Sequence, residues 1–202
     1  VDAGYASENI FRRSNYILPD LGRVREKQDY GLFVGRLSPE KGINTIASAW
    51  NDHNIQTPLR IIGEGPEEKN IAKLTSHMPQ VECVGQLPTD QVLEQIANAK
   101  FLIISSQWYE TFGRTIAEAF SRGTPVIASN LGAMAELVSD NINGLLFEPG
   151  DSSSLADAVK RFNGLTPKQC EQIQTSARQS YDERCSPEVS YRELLGIYDS
   201  VL

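Results

Sequence analysis

Two clusters in this sequence bring together residue types that do chemistry. The first is Gly35-Arg36-Leu37-Ser38-Pro39-Glu40-Lys41-Gly42. Ser38-Pro39-Glu40 reads as an N-cap, a first-position proline and an acidic second residue, so a helix should open there. Arg36 then closes the preceding apolar run, and Lys41 lies in the first helical turn. Two cations beside the free N–H groups of a helix start can hold a diphosphate. The plainer alternative is a solvated Arg36 and a Lys41 paired with Glu40 or another nearby acid. The second cluster runs from Trp108 to Phe120 and holds Glu110, Thr111, Phe112, Gly113, Thr115 and Glu118. Glu110 falls in a loop, whereas Glu118 falls inside a helix among Ile116, Ala117, Ala119 and Phe120. A buried carboxylate there needs a partner, because an unpaired buried charge is strongly unfavourable. Hydroxyls of a polyhydroxylated ligand would serve. So would an internal ion pair, or a position at the rim. For Glu110 the plainer role is capping the helix near Thr111. Trp108 and Tyr109 read as packing residues or as one wall of a pocket.

Other chemistries are not supported. Gly63-Glu64-Gly65 opens a helix, but Glu68 stands where a dinucleotide fingerprint needs its third glycine. No phosphate-binding Gly-x-x-x-x-Gly-Lys-Ser/Thr and no Asp-x-Asp metal motif occurs, so no metal or cofactor is expected. His53 and His77 fall in a loop and at a helix end and read as exposed and inert. Cys83, Cys170 and Cys185 are odd in number and far apart, which argues against disulfides or zinc and for a reducing, cytoplasmic setting. Nineteen Lys and Arg against 26 Asp and Glu give a net charge of −7. Binding to nucleic acid, which favours basic surfaces, is therefore not expected. The apolar runs are of strand length and no basic-then-apolar leader opens the chain, so neither a spanning helix nor a signal peptide is expected. The first residue is Val, which suggests a piece of something longer.

The elements that position these clusters alternate regularly. Apolar runs at Tyr30–Val34, Leu59–Ile62, Val81–Val84, Phe101–Ile104, Pro125–Ala128 and Leu145–Phe147 each end in Gly, Ser or Glu. They are continuous rather than alternating, as in strands covered on both faces. Between them lie amphipathic stretches at about 39–50, 66–77, 89–98, 112–122, 133–138 and 152–163. This order implies βαβ units and an α/β, Rossmann-like parallel sheet of about six strands with helices on both faces. Residues 1–29 read as a linker with a short helix at Ser7 to Ser14, 30–165 as the sheet domain, and 166–202 as two helices broken at Ser186-Pro187. In such folds ligands bind beyond the carboxyl ends of the strands, where both clusters fall.

Taken in order, several short motifs resemble one family. They are Gly35-Arg36-Leu37-x-x-Glu40-Lys41-Gly42, Gly63-x-Gly65-Pro66, Val84-Gly85-x-Leu87, Glu110-x-Phe112-Gly113 with Glu118-Ala119, and Gly123-Thr124-Pro125-Val126-Ile127-Ala128. Asn143-Gly144-Leu145-Leu146-Phe147 and Pro149-Gly150-Asp151 continue the match. Together they resemble the C-terminal, donor-binding half of a GT-B retaining glycosyltransferase of family 4 (glycosyl transferase group 1). The resemblance implies transfer of a hexose from a nucleoside-diphosphate sugar to a glycan, lipid-linked sugar or small molecule. By the same resemblance Arg36 and Lys41 hold the diphosphate, Glu110 faces the donor sugar, and Glu118 accepts hydrogen bonds from the ribose. Thr111, Phe112, Gly113 and Thr115 touch sugar and phosphate. Gly35 belongs to the phosphate loop, and the base lies near Gly63, Gly65, Val84, Gly85 and Leu87. The family's N-terminal half, which carries most of the acceptor site and could meet a membrane surface, is not in this chain. The fragment is therefore expected to bind a donor but barely catalyse. An epimerase of the same shape and a non-catalytic nucleotide- or sugar-binding module are the rival readings.

Overall fold

The structure, a computed structural model, describes residues 10, 11 and 13–201. Six strands form one sheet: β1 (Gly31–Val34), β2 (Leu59–Ile62), β3 (Val81–Gly85), β4 (Phe101–Ile104), β5 (Val126–Ser129) and β6 (Gly144–Phe147). Their spatial order is β3-β2-β1-β4-β5-β6 and every pairing is parallel. Side chains alternate across the sheet and both faces are covered. Phe101 and Ile103 of β4 point to one core, and Leu102 and Ile104 to the other. The first core is closed by α1 (Ile43–Asp52), α2 (Glu68–Thr75) and α6 (Ser152–Asn163). The second is closed by α3 (Thr89–Asn98), α4 (Arg114–Ser121), α5 (Gly132–Leu137) and part of α7 (Pro167–Arg184). The largest buried aromatic side chains with a polar atom, Trp50 and Tyr181, have that atom bonded. Trp50, for example, is 1 % exposed and its Nε1 donates to the Thr57 carbonyl at 2.9 Å.

Several expected details shift for local reasons. The helix expected from residue 39 begins at Ile43, after a 3-10 turn at Pro39–Lys41. Ser38 does not cap it. Its hydroxyl donates to the Glu40 carboxylate at 2.6 Å, and Gly42, at φ 67°, turns the chain into α1. α2 and α4 each start two residues later than the sequence suggests. β3 is an edge strand, so Glu82 and Cys83 are exposed rather than covered. α7 and α8 (Pro187–Val201) break at Cys185 and Ser186, as the Ser-Pro signal implies. The short helix expected at Ser7 to Ser14 falls mostly outside the described residues. Among those described there, Ile10, Phe11, Arg13 and Ser14 are not helical.

The stretch read as a linker is fastened from Ser14 to Lys27. Ser14 N–H donates to Glu193 and the Ser190 hydroxyl to the Ser14 carbonyl, both at 2.8 Å. Tyr181 OH donates to the Ile17 carbonyl, and Asp20 pairs with Arg178. Lys27 Nζ donates to the Ala97 and Arg122 carbonyls and to the Thr124 hydroxyl, joining the carboxyl ends of α3 and α4.

Candidate functional site

Strand order reverses between β1 and β4, whose connections leave in opposite directions and open a crevice at the carboxyl edge. A cavity of about 350 Å³ occupies this point. Arg36 and Lys41 line it from the β1 side, with Gly35. Ser105, Ser106, Glu110, Thr111, Phe112, Gly113, Arg114 and Thr115 line it from the β4 side. The two cations expected to converge therefore do so.

Backbone packing positions the β1 loop. A Cβ on Gly42 would lie 1.9 Å from the Ser105 carbonyl oxygen, so only glycine allows this approach. The Ser105 hydroxyl donates to the Lys41 carbonyl at 2.8 Å, and Gln107 N–H to the Glu40 carbonyl at 2.9 Å. On the other flank, a Cβ on Gly63 would lie 1.9 Å from the Gly35 carbonyl oxygen. Leu37 N–H donates to the Glu64 carbonyl at 2.9 Å. The loops after β1, β2 and β4 thus form one stitched rim. Arg114 and Thr115, the first two residues of α4, line the cavity, and the first amides of a helix have no carbonyl of their own helix to bond.

At the centre, Lys41 Nζ donates to Glu110 Oε1 at 2.5 Å and the Ser106 hydroxyl donates to the same oxygen at 2.6 Å. Lys41 pairs with neither Glu40 nor solvent alone, and Glu110 does not cap α4. Burial pushes the Glu110 carboxyl up, but the bonds from Lys41 and Ser106 and the ammonium charge outweigh it, leaving it below its ordinary range. Ser106 was not among the sequence candidates. Its place at the end of an apolar run, four residues before Glu110, was the available signal.

Glu118 lies one turn further into α4 and is not part of the cavity wall. Its side chain is 12 % exposed and pairs with Arg114, which is 74 % exposed, at 3.0 Å. Burial raises the Glu118 carboxyl above its ordinary range and Arg114 offsets only part of that. The internal ion pair anticipated as one alternative is thus formed, with a partner that solvent can easily claim. Trp108 and Tyr109 are 72 % and 79 % exposed, so neither packs into the core nor lines this cavity. His77 is exposed and bonds Asn51, while His53 is half-buried at the end of α1.

A neighbouring cavity of about 430 Å³ shares Val34, Gly35 and Arg36 and adds Gly63, Gln86 and Leu87. Gly65, Val84 and Gly85 do not line it. Gly65 packs against the Leu37 carbonyl, the Val84 side chain packs on the second core, and Gly85 receives the Gly63 N–H. Among the described residues no group of three or more His, Cys, Asp or Glu could hold a metal ion. No helix of the described residues is long and apolar enough to cross a membrane. The paired cavities suit an elongated ligand that is anionic in the middle and rich in hydroxyls.

Known proteins share this fold. The chain is 31 % identical over 133 residues to an uncharacterised glycosyltransferase of Methanocaldococcus jannaschii, covering 65 % of this chain and 37 % of the relative. It is 31 % identical over 170 residues to a GDP-mannose-dependent alpha-mannosyltransferase of Mycobacterium tuberculosis, covering 84 % of this chain and 42 % of that protein. The chain spans under half the length of each of these relatives. Among solved structures, Anabaena HepE in complex with UDP and glucose superposes with a TM-score of 0.75 at 23 % identity, over 86 % of this chain and 49 % of that one. A glycosyltransferase from Rickettsia africae gives 0.75 at 22 %, over 85 % and 47 %. The model of the glycosyl transferases group 1 family matches residues 20–180, which takes in the whole sheet and the rim of both cavities. This chain belongs to the glycosyl transferases group 1 family.

Proposed function

We propose that this chain is the donor-binding half of a retaining glycosyltransferase that moves a hexose from a nucleoside-diphosphate sugar to an acceptor. The observation that carries the reading is the convergence of Arg36, Lys41 and Glu110 on one cavity at the switch point of the sheet. Arg36 and Lys41 take the diphosphate and offset the charge that grows on the leaving nucleotide, a role that needs no metal. The amides of the Thr111–Gly113 loop and of Thr115 add donors around phosphate and sugar. Glu110 faces the sugar. Glu118 accepts from the ribose hydroxyls once Arg114 swings into solvent. The base lies in the cavity of Gly63, Gln86 and Leu87.

Similarity to a GDP-mannose-dependent alpha-mannosyltransferase supports a nucleotide-linked hexose as donor. The acceptor belongs to the half of the protein that these residues do not supply, so the fragment alone binds without efficient turnover. That half also carries any contact with the cytoplasmic face of a membrane. The test is calorimetric titration of this chain with UDP, GDP and ADP and their sugar conjugates, followed by sugar transfer with the full-length protein. Binding without transfer by the full-length protein would favour a non-catalytic binding module. Interconversion of the donor sugar without transfer would favour an epimerase.

A further inference from the structure

The donor cavity has a second lobe beyond the Thr111-Phe112 loop. This lobe, of about 190 Å³, shares Asn15, Thr111 and Phe112 with the donor cavity. Its own walls bring Arg13 and Arg184 together with Glu136. Neither guanidinium has a carboxylate within ion-pair distance among the described residues. Among the described residues Arg184 Nη2 donates to the Glu136 carbonyl oxygen at 2.8 Å, which leaves most of that fork's donors to the lobe. The lining holds two guanidiniums against one carboxylate, with Glu193 beside it on the Ser14 N–H, inside a protein of net charge −7. Arg forks suit planar or tetrahedral oxyanions, which they bind in bidentate fashion. The expected contacts of the donor use neither arginine.

We propose that this second lobe is an anion subsite, in which Arg13 and Arg184 hold a carboxylate or phosphate attached to one of the two reacting sugars. The inference rests on the donor reading of the adjoining cavity and narrows the substrate class to sugars bearing an acidic group. The anion has two sources. A uronic acid on the nucleotide-sugar would reach the lobe from the donor cavity past Thr111 and Phe112. A sugar phosphate on the acceptor side would enter through the lobe's own mouth.

The two sources are separated by titrating this chain in two arms. In the first, UDP-glucose is compared with UDP-glucuronate, or the GDP pair if guanosine is the base bound. In the second, glucose 1-phosphate is compared with methyl glucoside on the chain saturated with nucleoside diphosphate, which blocks Arg36 and Lys41. The inference expects the acidic member of one pair to bind about tenfold more tightly, equivalent to roughly 1.4 kcal/mol. Arg184→Gln, which keeps an amide donor for the Glu136 carbonyl, should erase that preference. Arg13→Gln, in a segment without secondary structure, should reduce it with less risk to folding. Free nucleoside diphosphate should bind both variants within twofold of the parent. No preference in either arm, or a preference that survives both substitutions, overturns the inference. Failure of every nucleotide to bind would count against the donor reading instead. The second arm is then run on the unliganded chain, where sensitivity to Arg184→Gln still decides the subsite.

Discussion

Glu110→Gln should strengthen, not weaken, the binding of a free nucleoside diphosphate. In the structure the Lys41 ammonium is already spoken for by Glu110 Oε1 at 2.5 Å. A diphosphate must therefore take Lys41 from that carboxylate or share it. A hydrogen bond to a charged group is worth roughly 1.5–3 kcal/mol net, and a neutral acceptor about half as much. The amide would thus loosen the pair by roughly 1 kcal/mol. Solvent reduces this, because the two side chains are 33 % and 25 % exposed. The affinity gain should be up to about fivefold, with a loss of up to about 1 kcal/mol in unfolding free energy. Lys41→Met should cost the diphosphate roughly 1.5–3 kcal/mol, and adding Glu110→Gln to that variant should change affinity no further. Calorimetry on the four chains of this cycle, with urea unfolding alongside, reads both quantities. If Glu110→Gln weakens the free nucleotide tenfold, or acts equally with and without Lys41, the two groups do not compete and the argument fails. The nucleotide-sugar should behave oppositely and bind less well, because only it reaches Glu110 with its hydroxyls.

Three further outcomes follow from the same geometry. Arg36→Ala should weaken nucleoside diphosphates by roughly 1.5–3 kcal/mol, measured by titration, since it removes a charged donor from the cavity wall. On the proposed ribose contact, Glu118→Gln should weaken nucleotide and nucleotide-sugar alike. Yet it should stabilise the fold at neutral pH, where burial penalises the charged carboxylate more than Arg114 repays. The Glu118 carboxyl lies above its ordinary 4.5, so its contribution is favourable below that value and is lost as pH rises through the folded one. Glu110 has the opposite sign: it lies below 4.5, so its contribution persists above that value and disappears in acid. A pH series of urea unfolding on the two Gln variants checks both signs. Gly42→Ala should cost at least about 2 kcal/mol of stability and abolish nucleotide binding, because it sets a Cβ 1.9 Å from the Ser105 oxygen at φ 67°. Unfolding and titration of that variant check it.

Much of the scaffold was legible because the strands are short and, β3 apart, apolar on both faces, with each run stopped by Gly, Ser or Glu. The reversal point was not, since no residue pattern states that β4 pairs with β1 rather than β3. That pairing brings Glu110 to Lys41, 69 positions away in sequence. The helix start at Ile43 was hidden for a related reason. Ser38-Pro39-Glu40 fits an N-cap, but Gly42 is held by Ser105 from another loop. Convergence of Arg36 with Lys41 could be read locally. The Arg114 partner of Glu118 followed the four-residue helical spacing and could have been named. The second lobe was out of reach, because Arg13, Phe112 and Arg184 meet only in the folded chain.

The bonds between Ser14 and α8 bear on how the unit can be rewired. Ser14 touches Ser190 and Glu193, so an early stretch of the chain and its last described helix meet at one spot. When early and late elements meet in this way, the sequence order is one of several that describe the same shape. A circular permutant that links Glu193 to Ser14 through a short Gly-Ser bridge and opens at Gly164, between α6 and α7, keeps all six strands and both cavities intact. It should retain nucleotide affinity, and the new opening would carry a fused reporter on the side away from the rim of the cleft.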